Sequence, residues 1–232
     1  MCGRYVLATS LPEVAEAFGA SCSPEIGSGY RPSWNIAPQR TVIGVVSEAR
    51  GRVLRTFRWG LVPAWSAPSA AGSRTFNARA ETIATKPSFR AAFRSRRVIV
   101  PADGFYEWSR SPGDERQPYL FRRADGGLLA LAGLWEVWRP SASSGDDDAL
   151  VTCTLVTAPA GPDVADVHDR QPVVLDRDAW DAWLDPDLRD RESLEALLHA
   201  SPPRTLARHA VGRAVGRTGV DGPALAEALV EP

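Results

Sequence analysis

Apolar positions along this chain fall mostly in short runs that alternate with polar ones, broken by clusters of Gly, Pro, Ser and Asp. That pattern predicts short strands joined by tight turns. Thr41–Ser47 and Arg52–Arg58 read as a hairpin turning at Glu48–Gly51. Arg97–Val100 reads as a buried strand stopped by the turn Pro101-Ala102-Asp103-Gly104. Further strands are predicted at 105–109, 118–123, 128–137, 151–157 and 205–211. Helical patterns are fewer. Ser10-Leu11-Pro12-Glu13 has capping-box spacing with proline in the first turn and opens a helix through Phe18. Short helical segments are predicted after Asn77, over Ser88–Arg94, and near 178–184 and 191–199. Residues 19–40, 66–73 and the acidic stretch Ser141–Asp148 read as loops, and the chain beyond 210 as a loose tail. With no internal repeat and no dividing linker, the expectation is a single α+β domain, mainly antiparallel β with peripheral short helices.

Composition narrows the class. The 232 residues suffice for a substantial core. There is no run of about 18 apolar residues and no basic-then-apolar leader, so neither a membrane span nor a secretory signal is expected. Three cysteines, Cys2, Cys22 and Cys153, lie far apart, which argues against a disulfide framework and for a reducing cytoplasm. The net charge of −1 hides an asymmetry. Residues 1–123 carry 18 basic and 9 acidic side chains, net +9, and residues 124–232 carry 9 and 19, net −10. Every basic residue but Lys86 is arginine. Such a half suits bidentate binding of phosphate, although a GC-rich coding sequence would produce the same bias.

Three features carry candidate chemistry in addition to the N-terminus. Loss of Met1 would leave Cys2 as a 1,2-aminothiol, with amine (pKa about 7.7–8.0) and thiol (about 8.5) on adjacent carbons. Such a pair condenses with an aldehyde to a five-membered thiazolidine, which no internal cysteine can do. Asn77 with Arg79 reads as a helix cap with an anion site, or simply as a capped helix with a surface arginine. In Phe105–Trp108, alternation sets Phe105 and Glu107 on one face and Tyr106 and Trp108 on the other. Glu107 is then desolvated and fit for proton transfer, or else paired with one of the many arginines. His168 lies beside a turn and a strand, where a structural role is the alternative. The spacing of Cys and His argues against a zinc site, and no phosphate-cradling glycine motif supports a nucleotide cofactor. Tryptophans among arginines suit unstacked bases as well as a core.

Six stretches then occur in order: CGRY at 2–5, WNIAP at 34–38, RWGLVPAW at 58–65, NARAET at 77–82, PADGFYEW at 101–108 and HDR at 168–170. Over roughly residues 2–175 this series closely resembles the SRAP family, the SOS-response-associated peptidases or abasic site processing proteins. The resemblance implies a barrel-like SRAP domain over 2–210, with 211–232 as a C-terminal tail. It implies a monomeric, cofactor-free DNA-damage protein, cytoplasmic and nucleoid-associated when bound. Its target would be abasic sites in single-stranded DNA, captured by Cys2 after Met1 removal as a covalent thiazolidine crosslink. By motif, Asn77 and Arg79 would hold the sugar and its flanking phosphate, Glu107 would move protons beside the Cys2 amine, and His168 would assist sugar-ring opening. Arg4, Trp65 and Arg170 would be further DNA contacts, and both Trp59 and Trp65 would wedge against flanking bases. The chief alternative is an N-terminal-cysteine peptidase or amidohydrolase. A lyase-like and an autocatalytic peptidase activity are both implied. Gln171 and Val98 depart from the family pattern at positions that carry no chemistry.

Overall fold

A computed structural model describes residues 2–23, 26, 29–67, 75–109, 116–140, 149–199 and 206–229. The acidic Ser141–Asp148 stretch, most of the 66–73 loop and Met1 lie outside these residues. Five strands close a barrel: β4 (Thr41–Glu48), β5 (Gly51–Trp59), β7 (Arg97–Ala102), β10 (Leu129–Trp138) and β11 (Leu150–Pro159). Neighbours run antiparallel in the order β11-β10-β7-β4-β5, and β5 returns to β11 in parallel, Cys153 opposite Trp59. Closure removes the edge strands that would otherwise template aggregation. A second sheet takes the order β13 (Leu206–Ala210), β9 (Pro118–Arg123), β8 (Gly104–Trp108), β1 (Tyr5–Leu7), β3 (Ser33–Ile36). The predominantly antiparallel single domain is as the sequence predicts. Among the described residues no helix is long and apolar enough to cross a membrane.

The barrel wall is interrupted between β5 and β6. Gly60, at φ 135°, turns the chain out of β5 while its N–H still donates to the Cys153 carbonyl at 2.8 Å. That φ belongs to the region a side chain rarely tolerates. The chain leaves the wall with Trp65 exposed and re-enters as β6 (Asn77–Arg79), which continues the parallel pairing with β11. On the other side of β11, its last residues pair with β12 (Arg170–Pro172). One end of β11 is therefore flanked by Asn77 and Arg79 on one side and by the His168–Arg170 stretch on the other.

The two sheets exchange chain at Asp103. Strand β7 runs through Pro101 and Ala102, two residues past the expected stop, because Ala130 and Leu129 of β10 continue to pair with them. Asp103 then makes the corner into β8. Its carboxylate accepts the N–H groups of Ala8 (2.5 Å) and Thr9 (3.0 Å) and the Thr9 hydroxyl (2.5 Å), while its own N–H donates to Val6 at 2.8 Å. The corner thus pins the end of β1 to the start of β8.

Several expectations are corrected. Residues 19–40 are not all loop: they contain β2 (Ala20–Cys22), parallel to β5, and β3, antiparallel to β1. Strand β1 itself is too short for its period to be legible. Asn77 starts a strand, not a helix, and Ser88–Arg94 becomes a helix only over Arg90–Ser95 (α2). Helix α1 (Leu11–Phe18) forms as predicted, with Val14 and Phe18 buried and Gly19 left-handed at its end. Helices α3 (Trp180–Leu184) and α4 (Arg191–His199) also fall where expected. The supposed loose tail is packed: Val211, Val215 and Leu225 are buried in a small cluster with Val6, Tyr106 and Leu120.

The Asp103 corner yields a prediction. Replacing Asp103 by Ala strands two N–H donors and a hydroxyl and lowers unfolding free energy by about 2–3 kcal/mol in a urea titration, with Asp103→Asn intermediate. An unchanged midpoint for Asp103→Ala would show that the carboxylate does not hold the corner.

Candidate functional site

Four side chains predicted from separate stretches converge where β1 and β8 of the second sheet meet the open end of β11. Cys2 sits at the start of the chain, three residues before β1, and is fully buried. Its carbonyl accepts a hydrogen bond from Asn77 Nδ2 at 2.7 Å, which ties the chain's beginning to the barrel rim. The other half of that amide, Asn77 Oδ1, is buried with no hydrogen-bond partner. An orphaned acceptor of this kind costs about 1–3 kcal/mol, and a ligand donor would satisfy it.

Asn77 and Arg79 share a face of β6 because a strand repeats every two residues. Ala78 between them is buried in the core, and Arg79 is exposed. The Asn-x-Arg spacing therefore works through strand alternation, and the helix-terminus anion site expected here does not form.

Glu107 faces inward from β8 beside Phe105, while Tyr106 and Trp108 face the smaller cluster, as alternation predicts. Only 2% of Glu107 is exposed, and burial pushes its carboxyl up to about 7. A carboxyl in that state exchanges a proton near neutral pH. The Cys2 thiol is pushed well up, first by burial and then by the neighbouring Glu107 carboxylate, so it is held as a thiol.

His168 follows a turn whose Val164 and Val167 are buried, and its own N–H donates to the Val164 carbonyl at 2.9 Å. Its Nε2 lies 3.8 Å from Glu107 Oε2. On the other side of the ring, Nδ1 is 2.9 Å from the Arg170 N–H, 3.1 Å from the Arg170 carbonyl and 3.1 Å from Asp169 Oδ1. When Nδ1 accepts the Arg170 N–H, the ring proton is on Nε2, toward Glu107.

The outlying residues are placed less uniformly. Trp65 is 69% exposed on the excursion between β5 and β6. Trp59 is not available as a second wedge: it is buried, packs edge-on to Tyr5 at 5.4 Å, and donates its indole N–H to the Phe76 carbonyl at 2.8 Å. Arg170 is held by both oxygens of Glu81 and by the Thr157 carbonyl at 2.6 Å. Arg4 points away from this cluster, with its terminal nitrogens on Asn35 Oδ1 and on the carbonyls of Val215, Gly216 and Arg217.

Sequence reasoning missed Glu81, the partner that orients Arg170, although it stands within the quoted 77–82 stretch. It lies 89 positions from that partner, a pairing no local spacing reveals. Asp169, 3.1 Å from the imidazole, likewise has no role legible in the sequence.

Comparison with known proteins bears on this cluster. A family model described as SOS response associated peptidase (SRAP) matches residues 1–218. The abasic site processing protein YoqW of Bacillus subtilis is 34% identical over 227 residues, covering 98% of this chain and 99% of that protein. The abasic site processing protein HMCES of Gallus gallus is 32% identical over 225 residues, covering 84% of this chain and 65% of the chicken protein. A solved protein from Bacteroides thetaiotaomicron shares the fold at a TM-score of 0.86, with 21% identity over 99% of this chain and all of its own. The chain belongs to the SOS response associated peptidase family.

Proposed function

We propose that this protein processes abasic sites in DNA, and that it does so by capturing them in single strands as a covalent thiazolidine on Cys2 once Met1 is removed. The observation that carries the reading is the convergence of Asn77, Glu107 and His168 on a cysteine whose α-amine is freed by loss of a single residue. The names of relatives such as YoqW, abasic site processing proteins, point the same way.

The chemistry follows from the groups present. An abasic deoxyribose is mostly a closed hemiacetal, and opening it releases the C1′ aldehyde. His168, protonated on both ring nitrogens with Nδ1 facing the Arg170 carbonyl and Asp169, donates its Nε2 proton to the ring oxygen as the C1′–O bond breaks, and the Glu107 carboxylate takes the proton of the C1′ hydroxyl. The Cys2 amine then adds to the aldehyde carbon, and the carbonyl oxygen leaves as water with protons relayed through Glu107, giving an imine. The Cys2 thiol closes the ring: sulfur bonds to C1′, and its proton passes through Glu107 to the nitrogen. One water is lost overall and no oxidant is needed. Asn77 Oδ1, a buried acceptor without a partner, would accept a hydrogen bond from a sugar hydroxyl or the freed amine. Arg79 and Trp65 supply exposed charge and an exposed ring for phosphate and base. Arg170, steadied by Glu81, would join them at the backbone.

The thiol's own state weighs against a peptidase or amidohydrolase acting through Cys2. Such enzymes need a thiolate, prepared by a depressed pKa. Here burial and a neighbouring carboxylate raise it. Ring closure tolerates a thiol, because the attacked imine carbon is strongly electrophilic and the proton has an acceptor nearby.

Incubating the protein with a single-stranded oligonucleotide bearing one abasic site is expected to give a heat-stable band that survives SDS. The band should be absent with undamaged DNA and with Cys2→Ala. Intact-mass measurement of the same sample should show Met1 missing. No adduct with wild-type protein lacking Met1 would sink the reading, and Cys2-dependent peptide cleavage without adduct would favour the hydrolase.

Glu107 also makes a pH prediction. Its carboxyl is raised in the folded protein, so its favourable contribution is complete below the ordinary value near 4.5 and is lost as pH rises through about 7. Glu107→Gln is therefore expected to match wild type in stability near pH 4.5 and to exceed it by up to about 3 kcal/mol above pH 7. The same variant should slow crosslinking by about 10²-fold or more, the usual contribution of a positioned proton carrier. Equal thermal stability of the two proteins across pH 5–8 would contradict the buried, proton-holding state.

A further inference from the structure

The C-terminal segment occupies the back of the strands that carry the cluster. Arg4, two residues from Cys2, sends Nη1 to Asn35 Oδ1 at 2.7 Å and to the Val215 carbonyl at 3.0 Å, and Nη2 to the Gly216 carbonyl at 3.3 Å. Asn35 answers with Nδ2 on the Val220 carbonyl at 2.7 Å. Asp221 then clamps β3 from the same segment, accepting the Ser33 hydroxyl at 2.6 Å and the Trp34 N–H at 2.7 Å. Tyr106, the neighbour of Glu107, donates its hydroxyl to the Trp34 carbonyl at 2.9 Å and lies 3.4 Å from the Leu225 carbonyl. A guanidinium bound mainly to carbonyls on folded backbone is spent on internal structure.

These contacts matter because β1 is a short anchor. It is three residues long and pairs with β8 only through Tyr5–Phe105 and Val6–Gly104. Beyond it, the Arg4 carbonyl accepts the Tyr106 N–H at 2.9 Å. Arg4 and Tyr106 are thus joined by backbone on one side and held by the same C-terminal segment on the other. Cys2 and Glu107 are carried on the two chains so locked.

We infer that residues 211–229 form a brace that sets Cys2 against Glu107, and that Arg4 is a positioning residue within it and not a phosphate contact. The inference rests on the crosslinking reading above. Without the brace the chain terminus keeps the Asn77 bond to the Cys2 carbonyl but loses its hold at Arg4, and a shift of about 1 Å in a reacting group costs on the order of 10²-fold in rate. Asp221 reports on the brace independently of any DNA contact, because its oxygens are engaged with β3.

The test is single-turnover crosslinking of the full chain, Met1 removed, to a single-stranded oligonucleotide with one abasic site. Maximal rate and half-saturating DNA concentration are measured separately for wild type, Arg4→Met, Arg4→Lys and Asp221→Ala. The expected result is a maximal rate lowered about tenfold or more in Arg4→Met and Asp221→Ala, with half-saturation within about twofold of wild type and partial recovery in Arg4→Lys. The salt dependence of binding to undamaged single strands should be unchanged in all three. Where Asp221→Ala melts without a cooperative transition, Tyr106→Phe, which removes one hydroxyl and keeps the ring, is expected to show a smaller fall in maximal rate. A folded Asp221→Ala with wild-type rate overturns the brace. So does an Arg4→Met that binds more weakly with its salt slope reduced by about one, the signature of a lost phosphate contact. Absence of adduct with wild-type protein would overturn the crosslinking reading as well, which separates the two failures.

Discussion

The site depends on how the first residues of the chain are held. A reactive terminus must be fixed in position yet leave its amine available, and termini are ordinarily the least ordered part of a domain. Here the Cys2 carbonyl, not its amine or thiol, takes the anchoring hydrogen bond from Asn77 Nδ2. The atoms that would react are left unspent by the anchor. The carbonyl oxygen of the same side chain is buried without a hydrogen-bond partner. Strand β6 can present that amide only because Gly60 lets the chain leave the barrel and return beside β11.

Burial then sets the proton chemistry. Glu107 is nearly inaccessible on a strand whose inward neighbour is Phe105, so its charged form is disfavoured and it holds a proton near neutrality. His168 approaches from the far side of β11, on a turn anchored by Val164 and Val167. Glu107 from the second sheet and His168 from the turn that leads into β12 thus meet at 3.8 Å. The closed barrel supplies one wall and the second sheet the other, and at Asp103, where the chain passes between them, the carboxylate holds the end of β1.

Much of this was legible from residue pattern. Alternation correctly put Glu107 inside with Phe105, and the long β-branched runs gave the barrel strands nearly in place. What failed did so for physical reasons. Strands β1, β3 and β6, of three or four residues, are too short to show a period, and they are stabilised by distant partners and not by their own propensity. In sequence Asn77 therefore resembles a helix cap, although Asn-x-Arg on one face is what a strand provides. Trp59 and Trp65 look alike in sequence, and only the fold separates a core ring from an exposed one. The C-terminal segment is interrupted by Gly212, Gly216, Gly219, Gly222 and Pro223, which hides any period, and besides its buried Val211, Val215 and Leu225 its attachment runs through Arg4, Asn35 and Asp221, polar contacts across more than 180 positions.

The central claim concerns the chemical identity of the bond to DNA, and the most direct measurement is mass analysis of the crosslinked N-terminal peptide after protease and nuclease digestion. The account predicts a peptide beginning at Cys2 joined to the abasic sugar with loss of one water. Its mass should be unchanged by borohydride, and no free thiol should be titratable at Cys2. A borohydride-reducible adduct with a free Cys2 thiol, or an adduct on any other residue, would contradict it.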